Sequence, residues 1–123
     1  MSFQAAQVLA LMAVWLIALS LNVSRLRLRY KVSFGDGGHK DLLVATRVHG
    51  NALEQSVLLA VLLLALEVQP GGAGDLVKWL GIVFLLARVL HAAAAFSRRL
   101  PLRQLAHLCS MGTQVVAAVA LLV

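Results

Sequence analysis

The chain has 123 residues, 61% of them hydrophobic and 13% charged, with a mean hydropathy of +0.89. Soluble domains run at about one quarter charged and at most about half apolar, so a water-soluble enzyme is excluded and one compact membrane unit is expected. Lys and Arg total 11 against 5 Asp and Glu, for a net charge of +6, yet the bases form no single stripe, which argues against a nucleic-acid surface.

Ala5 to Ser24 is free of charge, and its twenty residues suffice for about 30 Å of hydrocarbon. No basic region precedes it and it exceeds the usual apolar stretch of a signal peptide, so a retained transmembrane helix is expected. A basic, polar linker follows, with Arg25, Arg27, Arg29, Lys31 and Lys40 around Gly35-Asp36-Gly37-Gly38. The glycines permit left-handed turns. No phosphate-loop lysine flanks them, so a tight turn at the membrane edge is the reading. The second block, Leu42 to Val68, carries Arg47, His49, Asn51 and Glu54 early and is wholly apolar from Val57 to Leu66. Pro70-Gly71-Gly72-Ala73-Gly74-Asp75 stops it. The third block, Leu76 to Ser97, contains Lys78, Arg88 and His91, and Arg98-Arg99-Leu100-Pro101 leads into the fourth. Pro101 suits the first turn of a helix.

The expected fold is an all-α integral membrane four-helix bundle, one domain over 1–123 with helices at about 5–29, 41–68, 75–98 and 101–123. Loops one and three hold most of the basic residues, and the remaining loop has only Lys78 beside Glu67 and Asp75. The positive-inside rule therefore places loops one and three in the cytoplasm and both termini on the outer side.

An Arg or Asp at mid-membrane costs about 2.5–3.5 kcal/mol on insertion scales. Bases at helix ends can snorkel to the interface. Arg47, Glu54 and Arg88 cannot be explained that way. At about 100° per residue, Arg47, Asn51 and Glu54 lie within roughly 60° of one another, and Leu58 ends that polar stripe. Arg88 and His91 likewise share one side of helix three. Pairing of Glu54 with the two arginines inside the bundle is one reading. The other is an anionic ligand that balances the excess positive charge, with Asn51 recognising a peptide-like group.

Other polar residues read more simply. Cys109 is expected as a buried small hydrophobe, Trp15 as packing, and Thr113 and Gln114 as interhelical hydrogen bonders. His107 reads as a core or interfacial histidine. The four histidines and Cys109 lack zinc-type spacing, so no metal is expected.

Val32-Ser33-Phe34-Gly35-Asp36-Gly37-Gly38, the run Arg47-Val48-His49-Gly50-Asn51-Ala52-Leu53-Glu54, the leucine-rich stretch to Glu67, Arg88 with His91, and Arg99-Leu100-Pro101-Leu102-Arg103 follow in order. Together they resemble the membrane-associated proteins in eicosanoid and glutathione metabolism, the MAPEG family, in its bacterial branch. The resemblance covers nearly the whole chain. It implies a homotrimer in the bacterial inner membrane, with glutathione as co-substrate between subunits near the cytoplasmic face. It also implies glutathione contacts for Arg27, Arg47, Asn51, Glu54, Arg88 and His91, with Arg25 and Arg29 competing for the place of Arg27. Arg103 is implied as the catalytic residue beside the thiol. A lipophilic second substrate then arrives from the bilayer, and the activity is that of a glutathione transferase or a lipid-hydroperoxide peroxidase.

The chain departs from the family pattern at four places. Ala95 beside Phe96 stands where relatives often have Tyr, and His107 where they have a further Tyr. Gln104 replaces a small polar residue, and Val57 a Pro. Two other functions compete. One is a small multidrug-type exporter, disfavoured because helix one is uncharged and intramembrane arginines repel cations. The other is a structural membrane subunit whose polar stripe serves packing.

Overall fold

In the computed structural model, which describes residues 4–123, four helices follow one another: α1 (Gln4–Tyr30), α2 (Lys40–Val68), α3 (Leu76–Phe96) and α4 (Leu100–Leu122). Met1 to Phe3, part of the expected 1–123 domain, lie outside the described residues. All four helices are long and apolar enough to cross a membrane. This is the expected all-helical, four-span architecture, and the helix limits agree with expectation to within two residues. α3 stops short of the expected 98 because Arg98 takes a left-handed φ of 57°. The amides of Ser97, Arg98 and Arg99 then bond back to Ala93, Ala95 and Ala94, which satisfies the last carbonyls of the helix.

α3 is the axis of the bundle. Half of its span is buried, against 17% of that of α1. α1 packs on α2 and α3, α4 packs on α3 and α2, and α1 and α4 do not meet among the described residues. Small residues permit these approaches. At Gly81 of α3, a Cβ would collide with the Val8 side chain of α1.

The interior is unevenly filled. Toward loop two, Val8, Met12, Leu59, Leu63, Leu66, Val77, Leu80 and Phe84 form a dense core. Toward loops one and three, the buried positions include Ala45, Ala52, Ala92, Ala94 and Ala95. Alanines leave room between helices where leucines would close it. Trp15 packs beside Leu19 and Val48, as expected.

Loop one is a built turn. Arg27 donates to the carbonyl of Gly35 at 2.8 Å and more distantly to that of Val32. Tyr30 stacks on His39 with ring centroids 3.7 Å apart, and its hydroxyl donates to Asp41 at 2.6 Å. Gly37 sits at φ 56°, where a Cβ would lie 2.6 Å from Val32 Cγ2. At the opposite end, Glu67 accepts from the Ala5 amide and Gln4 donates to Asp75, tying the start of α1 to loop two. Loops one and three share one end, since Lys40, Arg98 and Arg99 line a common cavity.

Two expectations are corrected. Cys109 is exposed, because it lies with Leu105, Leu108 and Met111 on the outward face of α4. Thr113 bonds to the Ser110 carbonyl of its own helix at 2.6 Å, the usual outlet for a buried helical hydroxyl. Gln114 does bridge helices, donating to the Gln55 side chain of α2 at 2.6 Å.

The close α1–α3 approach gives a test. Gly81→Val forces Val8 aside and should cost about 1–3 kcal/mol, read as a lower Tm in detergent. Adding Val8→Ala should restore most of the loss. A Gly81→Val protein as stable as wild type would show that the two helices do not pack as described.

Candidate functional site

Arg88 is the organising residue. It projects from α3 into the centre of the bundle and is 1% exposed. Its guanidinium donates to Asn51 Oδ1 of α2 at 2.6 Å, to Ser110 Oγ of α4 at 3.4 Å, and toward His91 Nδ1 at 3.2 Å. All three partners are neutral. The Nε is buried with no acceptor among the described residues. Glu54, the acid offered by the ion-pair reading, lies exposed on the outer side of α2. The network therefore fixes three helices to one another but leaves the positive charge uncompensated.

A guanidinium only donates, so the contact with His91 requires Nδ1 to be the acceptor. The ring proton then sits on Nε2. His91 faces a cleft of about 630 Å³ between α2, α3 and α4, whose walls also include Arg47, Asn51, Ala95, Arg103, Gln104 and His107. The cleft occupies the alanine-rich half of the bundle. It adjoins a second cavity of about 360 Å³ that shares Arg103 and carries Lys40, Arg98 and Arg99. No acidic side chain lines either one.

Of the residues expected at the site, the fold brings Arg47, Asn51, His91 and Arg103 to one cleft, with Arg88 directly behind Asn51 and His91. It does not bring Glu54 or Arg27 there. Arg27 is engaged with the loop-one carbonyls. Glu54 and Arg47 are both exposed on α2, on a face continued by the exposed Leu58 and Val61.

One residue at the site carries no mark in the sequence, and another takes a place that the sequence does not give it. Ser110 has no charge to draw notice, but Ala106, Ser110, Thr113, Gln114 and Ala117 trace the buried face of α4. That small and polar helical stripe was the available signal. His107, read as a core or interfacial residue, is half-buried in the cleft wall one turn after Arg103. Its ring centroid is 6.5 Å from that of His91.

The family model for the MAPEG family matches residues 5–123. The chain belongs to the MAPEG family. It is also similar to the inner membrane protein YecN of two Escherichia coli strains, at 42% identity over 81 residues. That match takes in 66% of this chain and 61% of YecN, so it spans less than two thirds of the curated relatives' length. No solved structure matches the chain significantly. As a MAPEG member with four apolar helices, the chain is an integral membrane protein.

The Arg88 network predicts a non-additive response. Asn51→Leu strands a buried guanidinium and should cost about 1.5–3 kcal/mol. Arg88→Met in the same chain should recover most of that, because both partners are then apolar. Thermal unfolding of the two single variants and the double variant measures the coupling. Additive losses would mean that the two side chains do not interact.

Proposed function

We propose that this MAPEG protein binds glutathione and acts as a transferase or peroxidase on hydrophobic electrophiles or lipid hydroperoxides. The observation that carries this reading is the cleft itself. Arg47 and Arg103 line it with Asn51, the buried Arg88 stands directly behind Asn51, and no acid in the lining neutralises them. Glutathione has two carboxylates for such guanidinium groups, which bind them through paired, charge-assisted hydrogen bonds. The size is suitable too, since small-molecule sites run at about 300–1,000 Å³. A guanidinium beside a thiol favours the thiolate, which is the reactive form. Arg103 is assigned that role, and the second substrate reaches the thiolate from the bilayer.

The proposed assembly is a homotrimer. Arg47 and Glu54 stand exposed on one apolar face of α2, and charge left facing hydrocarbon is costly. Covering that face with a second copy removes the cost. It also gives Glu54 a place opposite the glutathione ammonium, which its position outside the cleft of its own protomer does not. The proposed location is the bacterial inner membrane, in keeping with the name of the YecN relatives. Loops one and three are then cytoplasmic and the termini outside, so glutathione enters from the cytoplasm.

Calorimetric titration of the solubilised protein with glutathione tests the reading. Saturable binding is expected, weakened about tenfold or more by Glu54→Gln and abolished by Arg47→Ala with Asn51→Ala in an intact oligomer. If that double variant loses the oligomer instead, the stripe serves packing and the reading fails. Arg103→Ala should keep glutathione binding but lose the ultraviolet absorption of the bound thiolate. An unchanged thiolate signal would remove Arg103 from that role.

A further inference from the structure

We infer that His107 is a further catalytic residue of the cleft, the base that takes the thiol proton when the thiolate forms. The inference rests on the glutathione reading and on the chemistry of the cleft wall.

Forming a thiolate requires a proton acceptor as well as a favourable charge. Arg47 and Arg103 have only donors to offer. The Asn51 oxygen is held by Arg88, and amides such as Asn51 and Gln104 are not bases at neutral pH. His91 has its acceptor nitrogen directed at Arg88 and so presents a proton. The remaining lining is apolar: Leu43, Val44, Val48, Ala95 and Leu108. His107 is therefore the one side chain of the described lining with a basic nitrogen to spare, and no hydrogen bond occupies its ring among the described residues. It shares a face of α4 with Arg103, at i and i+4, so the proton acceptor and the cation that holds the thiolate lie one helical turn apart.

The step balances without an added oxidant or reductant. The S–H bond of glutathione breaks, the proton moves to the free ring nitrogen of His107, and sulfur keeps the electron pair beside Arg103. With an α,β-unsaturated carbonyl, the sulfur pair forms an S–C bond. The displaced π electrons become a carbanion, which takes the proton back from the His107 imidazolium. The charged and titratable groups that share the cleft with His107 are Arg103 on α4, His91 with Arg88 behind it on α3, and Arg47 on α2. α1 does not meet α4 among the described residues.

The test omits any electrophile. Glutathione is mixed in stopped flow with solubilised wild-type protein or H107Q, at a pH where free imidazole is neutral. Thiolate absorption and a pH-indicator dye are followed together. Wild type should form thiolate while releasing well under one proton per thiolate to the medium. H107Q should retain calorimetric glutathione binding but form thiolate about 100-fold more slowly, and H107A should regain speed with free imidazole. Release of a full proton by wild type overturns the assignment, and that readout needs no variant to fold. So does H107Q with wild-type rate and proton count, which leaves the glutathione reading intact. H107Q that folds but no longer binds glutathione would make His107 a ligand-holding residue instead. Wild type that binds no glutathione in calorimetry overturns both readings together.

Discussion

A buried guanidinium that finds only neutral partners is the constraint on which the rest of this bundle depends. Arg88 bonds to Asn51 of α2, to Ser110 of α4 and to His91 of its own helix. It thereby fixes the relative rotation of three helices at one level. In lipid, apolar surface gives little net drive for helix association, so polar contacts and close packing must define the geometry. The same contacts leave a net positive charge at the inner end of a cleft. One residue thus serves the fold and sets the electrostatics of the site.

Filling is divided along the bundle. Toward loop two, Leu59, Leu63, Leu66 and Phe84 close the interior, and Gly81 lets α1 approach α3. Toward loop three, Ala92, Ala94 and Ala95 occupy the corresponding faces of α3. The close-packed half supports the open half. Room near the basic end is thus a property of side-chain volume, decided by alanine where leucine is also helix-compatible.

Much of this was readable from the chain. Ala5 to Ser24 is charge-free and the next blocks are nearly so, which fixes four spans. Pro70-Gly71-Gly72 and Arg98-Arg99-Leu100-Pro101 place the turns. Helical periodicity puts Arg47, Asn51 and Glu54 on one face, and their cost in hydrocarbon marks them as needing a reason. Periodicity on one helix, however, gives no rotation relative to the others. It therefore could not say that Asn51 meets Arg88, that Arg27 is held by its own loop, or that Glu54 points away from the cleft. Cys109 was misplaced for a related reason. In a membrane protein an apolar neighbourhood in sequence means lipid as readily as core.

The sequence by itself determined the number of apolar helices and the family, because these depend on hydropathy and local order along the chain. Tertiary structure alone decided which polar groups share the cleft. Ser110 carries no distinguishing pattern of its own, and His107 reads from the sequence only as a core or interfacial histidine. They acquire roles only when α4 is rotated so that one touches Arg88 and the other stands across from His91. That rotation is set by packing among three helices, a property of no single stretch of residues.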